Sequence, residues 1–533
     1  MEIFIVAATI FLAVFLTSLT YLAGVLAKTA NAVYLGTVHW PGDYFYYLSQ
    51  FAQGRYSWFL SYDLYSRDFP YKTPVGWVNV FLGRLFYLVG LDQLRAYQLS
   101  IIIFAAFFLG ISYLLLRQIF PVRDRENSLK RTAAFMLFVF SNAFPQLIHK
   151  SGKTLIFYFD YWFNNGLPFN RLVSVPHQLV ARSTIVLALF LSIVWWKDKR
   201  RGKKLLKLIM LSASGFILAS VEPVQWTIVS LVILSVPLYF SIFKHEKIKF
   251  PDFAPVMFFG GGGLPMALYL KKLFSGPPYS QLVAWELAQS LKLSLFNFIL
   301  ANGPVMVLAL FGIIIFAKKI SRAKITALIF SFLTIGFFLS PIPAMAGLVN
   351  VRFLPPVTTL FLACFAIEVI FHLSQKISRK ANAVTAGIVV LVLIMNIIPM
   401  AEQLKIRTKT DTANGFFYLD KKVIEAFDIA EQNSAYGDLF LVVWPFNASF
   451  PALATRHTYA GHPLLTIDSA VKDKKSSDFF YNVMNREEMK EFLRLNNIKY
   501  VLAYPWMERI NSLPLLDKQF DNGMLAIYRV KKK

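Results

Sequence analysis

The chain has 533 residues, of which 56% are hydrophobic and 16% charged, and its mean hydropathy is +0.52. A soluble protein of this length needs more charge to cover its surface, so the composition excludes a large soluble enzyme. The single cysteine, Cys364, excludes an internal disulfide framework and a CxxC metal or redox motif.

The net charge of +25 is concentrated in short loops between apolar runs. Five stretches together hold 21 Lys or Arg and 4 Asp or Glu, namely residues 121–131, 197–207, 244–251, 318–324 and 374–380. Short basic loops of this kind stay on the cytoplasmic side of a membrane. The charge therefore predicts a membrane topology and argues against a nucleic-acid partner.

Apolar runs long enough to cross a bilayer predict a mainly α, polytopic membrane protein with about eleven transmembrane helices. The spans are expected near residues 3–27, 97–118, 132–149, 178–196, 205–221, 224–243, 253–270, 295–317, 325–340, 354–373 and 384–402. The first run lacks a basic flank and is long for a signal peptide, so we expect a retained helix. A cytoplasmic N-terminus places all five basic loops inside and the C-terminus outside the plasma membrane.

Residues 74–91 are also apolar, but a crossing there would move every later basic loop to the outside. Asn79 and Arg84 interrupt the run as well. We therefore predict a helix that lies in the outer interface, anchored by Trp77 and Tyr87.

The composition changes near residue 404, because residues 403–533 hold 19 Lys or Arg and 15 Asp or Glu. Alternating patterns predict helices at 420–433 and 487–496 and strands at 439–443, 499–503 and 525–530. We therefore predict two domains, a transmembrane domain at 1–404 and an extracytoplasmic soluble α/β domain at 405–533.

The first predicted outer loop carries an acidic residue in an aromatic stretch, Trp40-Pro41-Gly42-Asp43-Tyr44-Phe45-Tyr46-Tyr47. Asp43 could be the N-cap of an interfacial helix, which is a common role for Asp, or it could do chemistry. Asp63 and Asp68 follow in the same loop, and we interpret both as solvated loop carboxylates.

The order of features in residues 1–120 resembles the first outer loop of GT-C glycosyltransferases, a group that includes protein O-mannosyltransferases, aminoarabinose transferases and oligosaccharyltransferases. These features are a first span, an acidic residue before a Tyr-rich helix, a Pro-opened interfacial helix, and the polar entry Asp92-Gln93-Leu94-Arg95. The resemblance implies two juxtamembrane helices in this loop and Asp43 as a catalytic residue.

Asp160 is the second catalytic candidate. It stands alone among aromatic residues in the second predicted outer loop, where a lone carboxylate needs water or a partner. The comparable loop of oligosaccharyltransferases carries a metal-binding pair of aspartates, and the second one is absent here. A requirement for a divalent metal, Mg²⁺ or Mn²⁺, is left open.

Six further residues are candidates for substrate binding. Arg352, in Asn350-Val351-Arg352-Phe353-Leu354-Pro355, is similar in placement to the GT-C arginine that faces the lipid phosphate, and its fork suits phosphate. The others are Glu222 in a turn between two spans, His177 at a span entry, Lys271 and Lys272 on the outer side, and His462 in Arg456-His457-Thr458-Tyr459-Ala460-Gly461-His462. The last five also have plainer interpretations. Glu222 could mark the turn and cap a helix, His177 could be a capping or snorkelling side chain, Lys271 and Lys272 could snorkel at a helix end, and His462 could be a hydrogen-bonded turn histidine.

Together these patterns predict an inverting membrane glycosyltransferase of the cell envelope. Its partners would be membrane lipids, a polyprenyl-phosphate sugar donor, and a lipid, glycan or protein acceptor. Two other functions stay open, a transporter or flippase for a lipid-linked or polar solute and a non-catalytic assembly protein that keeps the fold.

Overall fold

A computed structural model describes residues 1–37, 40–122, 124–150, 152–159, 165–172, 175–197, 204–318, 320–378, 380–409, 411–481 and 483–531. Among these residues, ten helices are long and apolar enough to cross a membrane. They are α1 (Glu2–Ala27), α4 (Gln93–Ile119), α7 (Pro176–Lys197), α8 (Lys204–Val221), α9 (Pro223–Lys244), α10 (Ala254–Leu273), α12 (Leu295–Phe316), α13 (Arg322–Leu339), α15 (Val357–Ile377), and α16 (Ala381–Met395) continuing into α17 (Ile397–Thr408). The chain is a mainly α, multi-pass membrane protein, as the sequence predicts.

Shorter helices and the strands complete the fold. The helices are α2 (Pro41–Gln53), α3 (Trp77–Leu88), α5 (Arg125–Phe140), α6 (Pro168–Leu172), α11 (Tyr279–Ala288), α14 (Ile342–Met345), α18 (Lys421–Gln432), α19 (Phe450–Ala454), α20 (Ser469–Phe480), α21 (Arg486–Leu495) and α22 (Glu508–Asn511). The strands are β1 (Ala32–Tyr34), β2 (Pro145–Lys150), β3 (Lys153–Tyr158), β4 (Tyr418–Asp420), β5 (Leu439–Val442), β6 (His457–Thr458), β7 (Tyr500–Ala503), β8 (Leu516–Asp521) and β9 (Ala526–Val530).

The helix predicted at 132–149 ends nine residues earlier than expected. Helix α5 ends at Phe140, and Pro145–Lys150 forms strand β2, which pairs antiparallel with β3. Proline cannot donate the backbone hydrogen bond that would continue the helix, and Ser141 and Asn142 favour a break before it. With 16 residues, α5 is shorter than the ten helices above, and the crossing by this segment stays a prediction.

The segment at 74–91 does not form a spanning helix, as predicted. Helix α3 has 12 residues, so it is ~18 Å long, which is too short for a hydrocarbon core of ~30 Å. Helices α2 and α3 are the two helices expected between the first two spans.

The chain forms two compact units. The first contains Met1–Leu19, Ile101–Lys271 and Glu286–Ile406, and α15 is its most buried long helix. Glu368 on α15 is paired with Lys130 at 2.8 Å and Lys324 at 3.3 Å, so this charge within a span is compensated.

The second unit contains Thr20–Ser100, Lys272–Trp285 and Arg407–Lys533. Its five-stranded sheet has the order β6-β5-β7-β9-β8, in which β5 runs parallel to β6 and β7, while β9 is antiparallel to β7 and β8. A separate pair joins β1 to β4, so the segment after the first span is bonded to the C-terminal segment. The predicted domain boundary at 404 stays a prediction.

Candidate functional site

Polar side chains gather in an open cleft of the first unit, which we call the arginine cleft. Its open space is about 510 Å³. The lining residues are Asn165, Gln178, Ala181, Arg182, Ile185, Glu222, Gln225, Val351, Arg352, Leu354, Pro355 and Pro356. The structure therefore brings together two of the predicted binding residues, Arg352 and Glu222, which are 130 positions apart in the sequence.

Arg352 is held by two carboxylates. Its Nε and Nη2 donate to the two carboxylate oxygens of Glu286 at 3.2 and 2.5 Å, and its Nη1 donates to Glu222 at 3.1 Å. The carbonyl of Arg352 also accepts a hydrogen bond from the Gln225 amide. A fork of this kind fixes the guanidinium plane, so a phosphate that binds Arg352 must replace at least one carboxylate.

Glu222 stands at the N-cap position of α9 but makes no side-chain cap bond, so the plain capping interpretation is wrong. Its carboxylate reaches Arg352 instead. Burial raises the pKa of Glu222 above its usual value, while Arg352 acts in the opposite direction and Glu286 adds to the rise. We therefore infer that Glu222 releases Arg352 more easily than Glu286 does.

Arg182 is a cleft residue that the sequence interpretation missed. It lies on α7, is buried, and donates from Nη1 to the carbonyl of Arg171 at 2.9 Å. A charge inside a predicted span is a recognised signal of function, so this arginine could have been found from the sequence. Glu286, the one charged residue of helix α11, lies in a predicted outer loop and carried no such signal.

Asp43 lies in the second unit, in the first turn of α2. The N-cap of this helix is Trp40 and makes no side-chain cap bond, so Asp43 is not the cap. The Asp43 side chain is 45% exposed, and its Oδ1 lies 3.7 Å from Nε2 of His462. The carboxylate is thus open to an incoming ligand, and the positive end of the helix dipole favours its charge.

His462 belongs to a tight turn that is buried in the second unit. The rings of Tyr65 and Tyr46 contact it edge-on, with centroids at 5.6 and 6.2 Å. A Cβ at Gly461 would lie 2.4 Å from the carbonyl oxygen of Asn447, so the turn requires glycine there. The turn that the sequence predicts at Gly461-His462 is present, and it places His462 beside Asp43.

Asp63 is not a solvated loop carboxylate. It is buried, its Oδ1 accepts a hydrogen bond from the backbone N–H of Tyr65 at 3.0 Å, and its Oδ2 has no hydrogen-bond partner among the described residues. Burial raises the pKa of Asp63 to about 7, against the effects of that hydrogen bond and of Lys472. Asp68 fits the solvated interpretation better, since its side chain is 53% exposed and pairs with Lys472.

The remaining predicted residues lie elsewhere. Lys271 and Lys272 are exposed near the end of α10, and neither lines the arginine cleft. His177 is the second residue of α7, next to the cleft residue Gln178. Asp160 lies outside the described residues. Within the described part of the chain, no three His, Cys, Asp or Glu side chains are grouped to hold a metal ion.

No family model matches the sequence, and no curated protein matches it. Solved structures do match. The oligosaccharyltransferase of Archaeoglobus fulgidus gives a TM-score of 0.53 in its apo form, at 14% identity, and 0.52 at 13% identity in a complex with an inhibitory peptide and a dolichol-phosphate. Both matches cover 94% of this chain and 70% of the other.

Two bacterial transferases give similar values. ArnT from Cupriavidus metallidurans, bound to undecaprenyl phosphate, has a TM-score of 0.51 and 12% identity and covers 99% of this chain and 97% of its own. Arabinofuranosyltransferase AftD from Mycobacteria has a TM-score of 0.51 and 14% identity, with 99% of this chain and 41% of AftD covered. These neighbours are GT-C glycosyltransferases, so the chain has the membrane glycosyltransferase fold that its first 120 residues resemble.

Proposed function

We propose that the chain transfers a sugar from a polyprenyl-phosphate donor to a lipid, glycan or protein acceptor, with inversion at the anomeric carbon, on the outer face of the plasma membrane. The observation that carries the proposal is the arginine cleft, in which two arginines, three amides and a carboxylate line one opening of a GT-C fold. The lipid phosphates bound by two of the structural neighbours support a phosphate ligand here.

The proposed chemistry needs two kinds of group. A carboxylate takes the proton of the acceptor, and cations stabilise the phosphate that leaves with the lipid. Asp43 suits the first role because its carboxylate is half-exposed. Arg352 suits the second role because its fork matches phosphate oxygens.

Donor binding then requires an exchange at Arg352. The phosphate replaces Glu222, whose burial already disfavours its charged form, while Glu286 keeps its two bonds and holds the guanidinium plane. Arg182 in the same cleft adds a second positive charge. In this scheme the two glutamates keep the cleft electrically balanced before the donor arrives.

Binding of radiolabelled polyprenyl-phosphate sugars to the detergent-purified protein tests the proposal. We expect saturable binding that is lost in Arg352→Ala and kept in Asp43→Asn, while transfer is lost in both variants, because the two residues act at different steps. Arg322→Ala is a matched control, since Arg322 is also partly exposed and also lies beside two carboxylates, Glu246 at 3.1 Å and Asp252 at 3.7 Å.

Normal transfer by Asp43→Asn would show that Asp43 is not the base. If Arg322→Ala loses donor binding to the same extent as Arg352→Ala, the loss in Arg352→Ala reflects general damage to the protein. No binding of any donor by the folded wild-type protein would favour a transporter or a non-catalytic assembly protein.

A further inference from the structure

The ring of His462 is held from one side by its own turn. Its Nδ1 accepts hydrogen bonds from the backbone N–H groups of Leu464 at 3.1 Å and Leu465 at 3.2 Å. The turn is closed by two further bonds, from His462 N to Thr466 Oγ1 at 3.2 Å and from Thr466 N to the His462 carbonyl at 3.0 Å. Thr466 in turn donates to the carbonyl of Tyr65 at 2.9 Å, which ties the turn to the first loop.

These contacts determine which ring nitrogen carries the proton. A nitrogen that accepts two N–H donors has no hydrogen of its own, so the proton of the neutral ring must be on Nε2. This Nε2–H is buried and has no hydrogen-bond partner among the described residues. The acidic group beside it is Asp43, whose Oδ1 is 3.7 Å away.

We propose that His462 is a positioning residue that aims Asp43 at the acceptor, rather than a residue that touches the substrate. Its side chain is only 3% exposed, which leaves little surface for a ligand. A shift of less than 1 Å would turn the 3.7 Å approach into an N–H···O bond to one carboxylate oxygen. The other oxygen is then free to take the acceptor proton. This inference rests on the proposed role of Asp43 as the base.

Two substitutions separate the function of each ring nitrogen. Asparagine can place its carbonyl oxygen where Nδ1 accepts the two backbone bonds, but it has no donor that reaches Asp43. Glutamine can extend its amide N–H₂ toward Asp43. We therefore expect His462→Asn to lower kcat about 10²-fold with KM for the donor nearly unchanged, and His462→Gln to recover much of that loss.

His457→Asn is the matched control. His457 is five residues away and fully buried, its ring lies edge-on to Tyr62 at 5.5 Å, and neither ring nitrogen has a hydrogen-bond partner among the described residues. Both asparagine variants thus replace a buried histidine of the same segment, and only one faces Asp43.

A measurement that needs no activity separates this inference from the proposed function. The measurement is an NMR spectrum of protein with ¹⁵N-labelled histidine. The ring-nitrogen signals that the wild type shows and His462→Gln lacks belong to His462. We expect a protonated Nε2 and an unprotonated Nδ1, with the Nε2 signal shifted in Asp43→Asn and unchanged in Asp68→Asn. A protonated Nδ1, an Nε2 signal indifferent to Asp43→Asn, or wild-type kcat in His462→Asn would each overturn the inference. If the wild-type protein transfers no sugar while the nitrogen signals behave as expected, the contact stands and the proposed function fails.

Discussion

Burial and pairing decide what the charged side chains of this protein can do. Arg352 is held by two glutamates, and Glu222 among them has a raised pKa because it is buried. Asp43 is instead half-exposed, with one histidine at its side. A carboxylate used as a base must meet the acceptor, whereas a carboxylate that balances an arginine can be buried, so the two environments fit different roles.

Asp63 predicts a pH dependence of stability. In the unfolded chain the pKa of the Asp63 carboxyl is about 3.9. In the folded chain burial raises the pKa of Asp63 to about 7. Between these values the folded state keeps a proton that the unfolded state has lost, so stability falls as the pH rises from about 4 to about 7 and stays low above that. Asp63→Asn should remove this fall and stabilise the protein at pH 7, on the order of a few kcal/mol.

Thermal unfolding of the detergent-purified protein across this pH window measures the effect. Asp68→Asn is the control, because the exposed Asp68 carboxylate should contribute little. An Asp63→Asn variant that loses stability with pH exactly as the wild type does would contradict the assignment.

At the scale of elements, α2 and α3 pack closely because glycines face each other. A Cβ at Gly83 would lie 2.2 Å from the carbonyl oxygen of Phe51, and one at Gly54 would lie 2.4 Å from the backbone nitrogen of Arg84. The backbones therefore touch without intervening side chains. Because α2 carries Asp43, this packing also fixes the helix that positions the candidate base.

Gly83→Ala should separate the two helices. The added methyl meets backbone atoms that cannot move aside, so we expect a loss of about 1–3 kcal/mol in stability and a lower kcat through displacement of α2. Gly110→Ala is the control, since Gly110 lies in helix α4 with nothing within 4 Å of an added Cβ. Unfolding midpoints and kcat of both variants test this, and equal behaviour of the two would refute the packing argument.

At the scale of the whole molecule, the membrane topology can be measured with the one native cysteine removed. Cys364 is buried, and Cys364→Ala gives a background for single cysteines at two exposed lysines, Lys247 and Lys475. The positive-inside pattern predicts that Lys475→Cys reacts with an impermeant maleimide on intact cells and Lys247→Cys only after permeabilisation. The reverse pattern would invert the orientation, and labelling of both sites on intact cells would mean that the two segments share the outer face.

The sequence by itself determined the membrane class, ten long apolar helices, and five of the eleven helices and strands described after residue 409. Apolar length and amphipathic period are local properties, so they can be read directly from the chain. The patterns at 420–433 and 439–443 correspond to α18 and β5 for this reason. The end predicted at residue 149 was wrong because apolar residues were counted across Pro145, where strand β2 begins.

Only the tertiary structure decided which side chains meet. Arg352 contacts Glu222 and Glu286 from 130 and 66 positions away, and His462 faces Asp43 across most of the chain. No periodicity encodes such pairings, because they follow from the packing of whole helices and turns. Burial is equally non-local, which is why Asp63 looked solvated in the sequence and is enclosed in the fold.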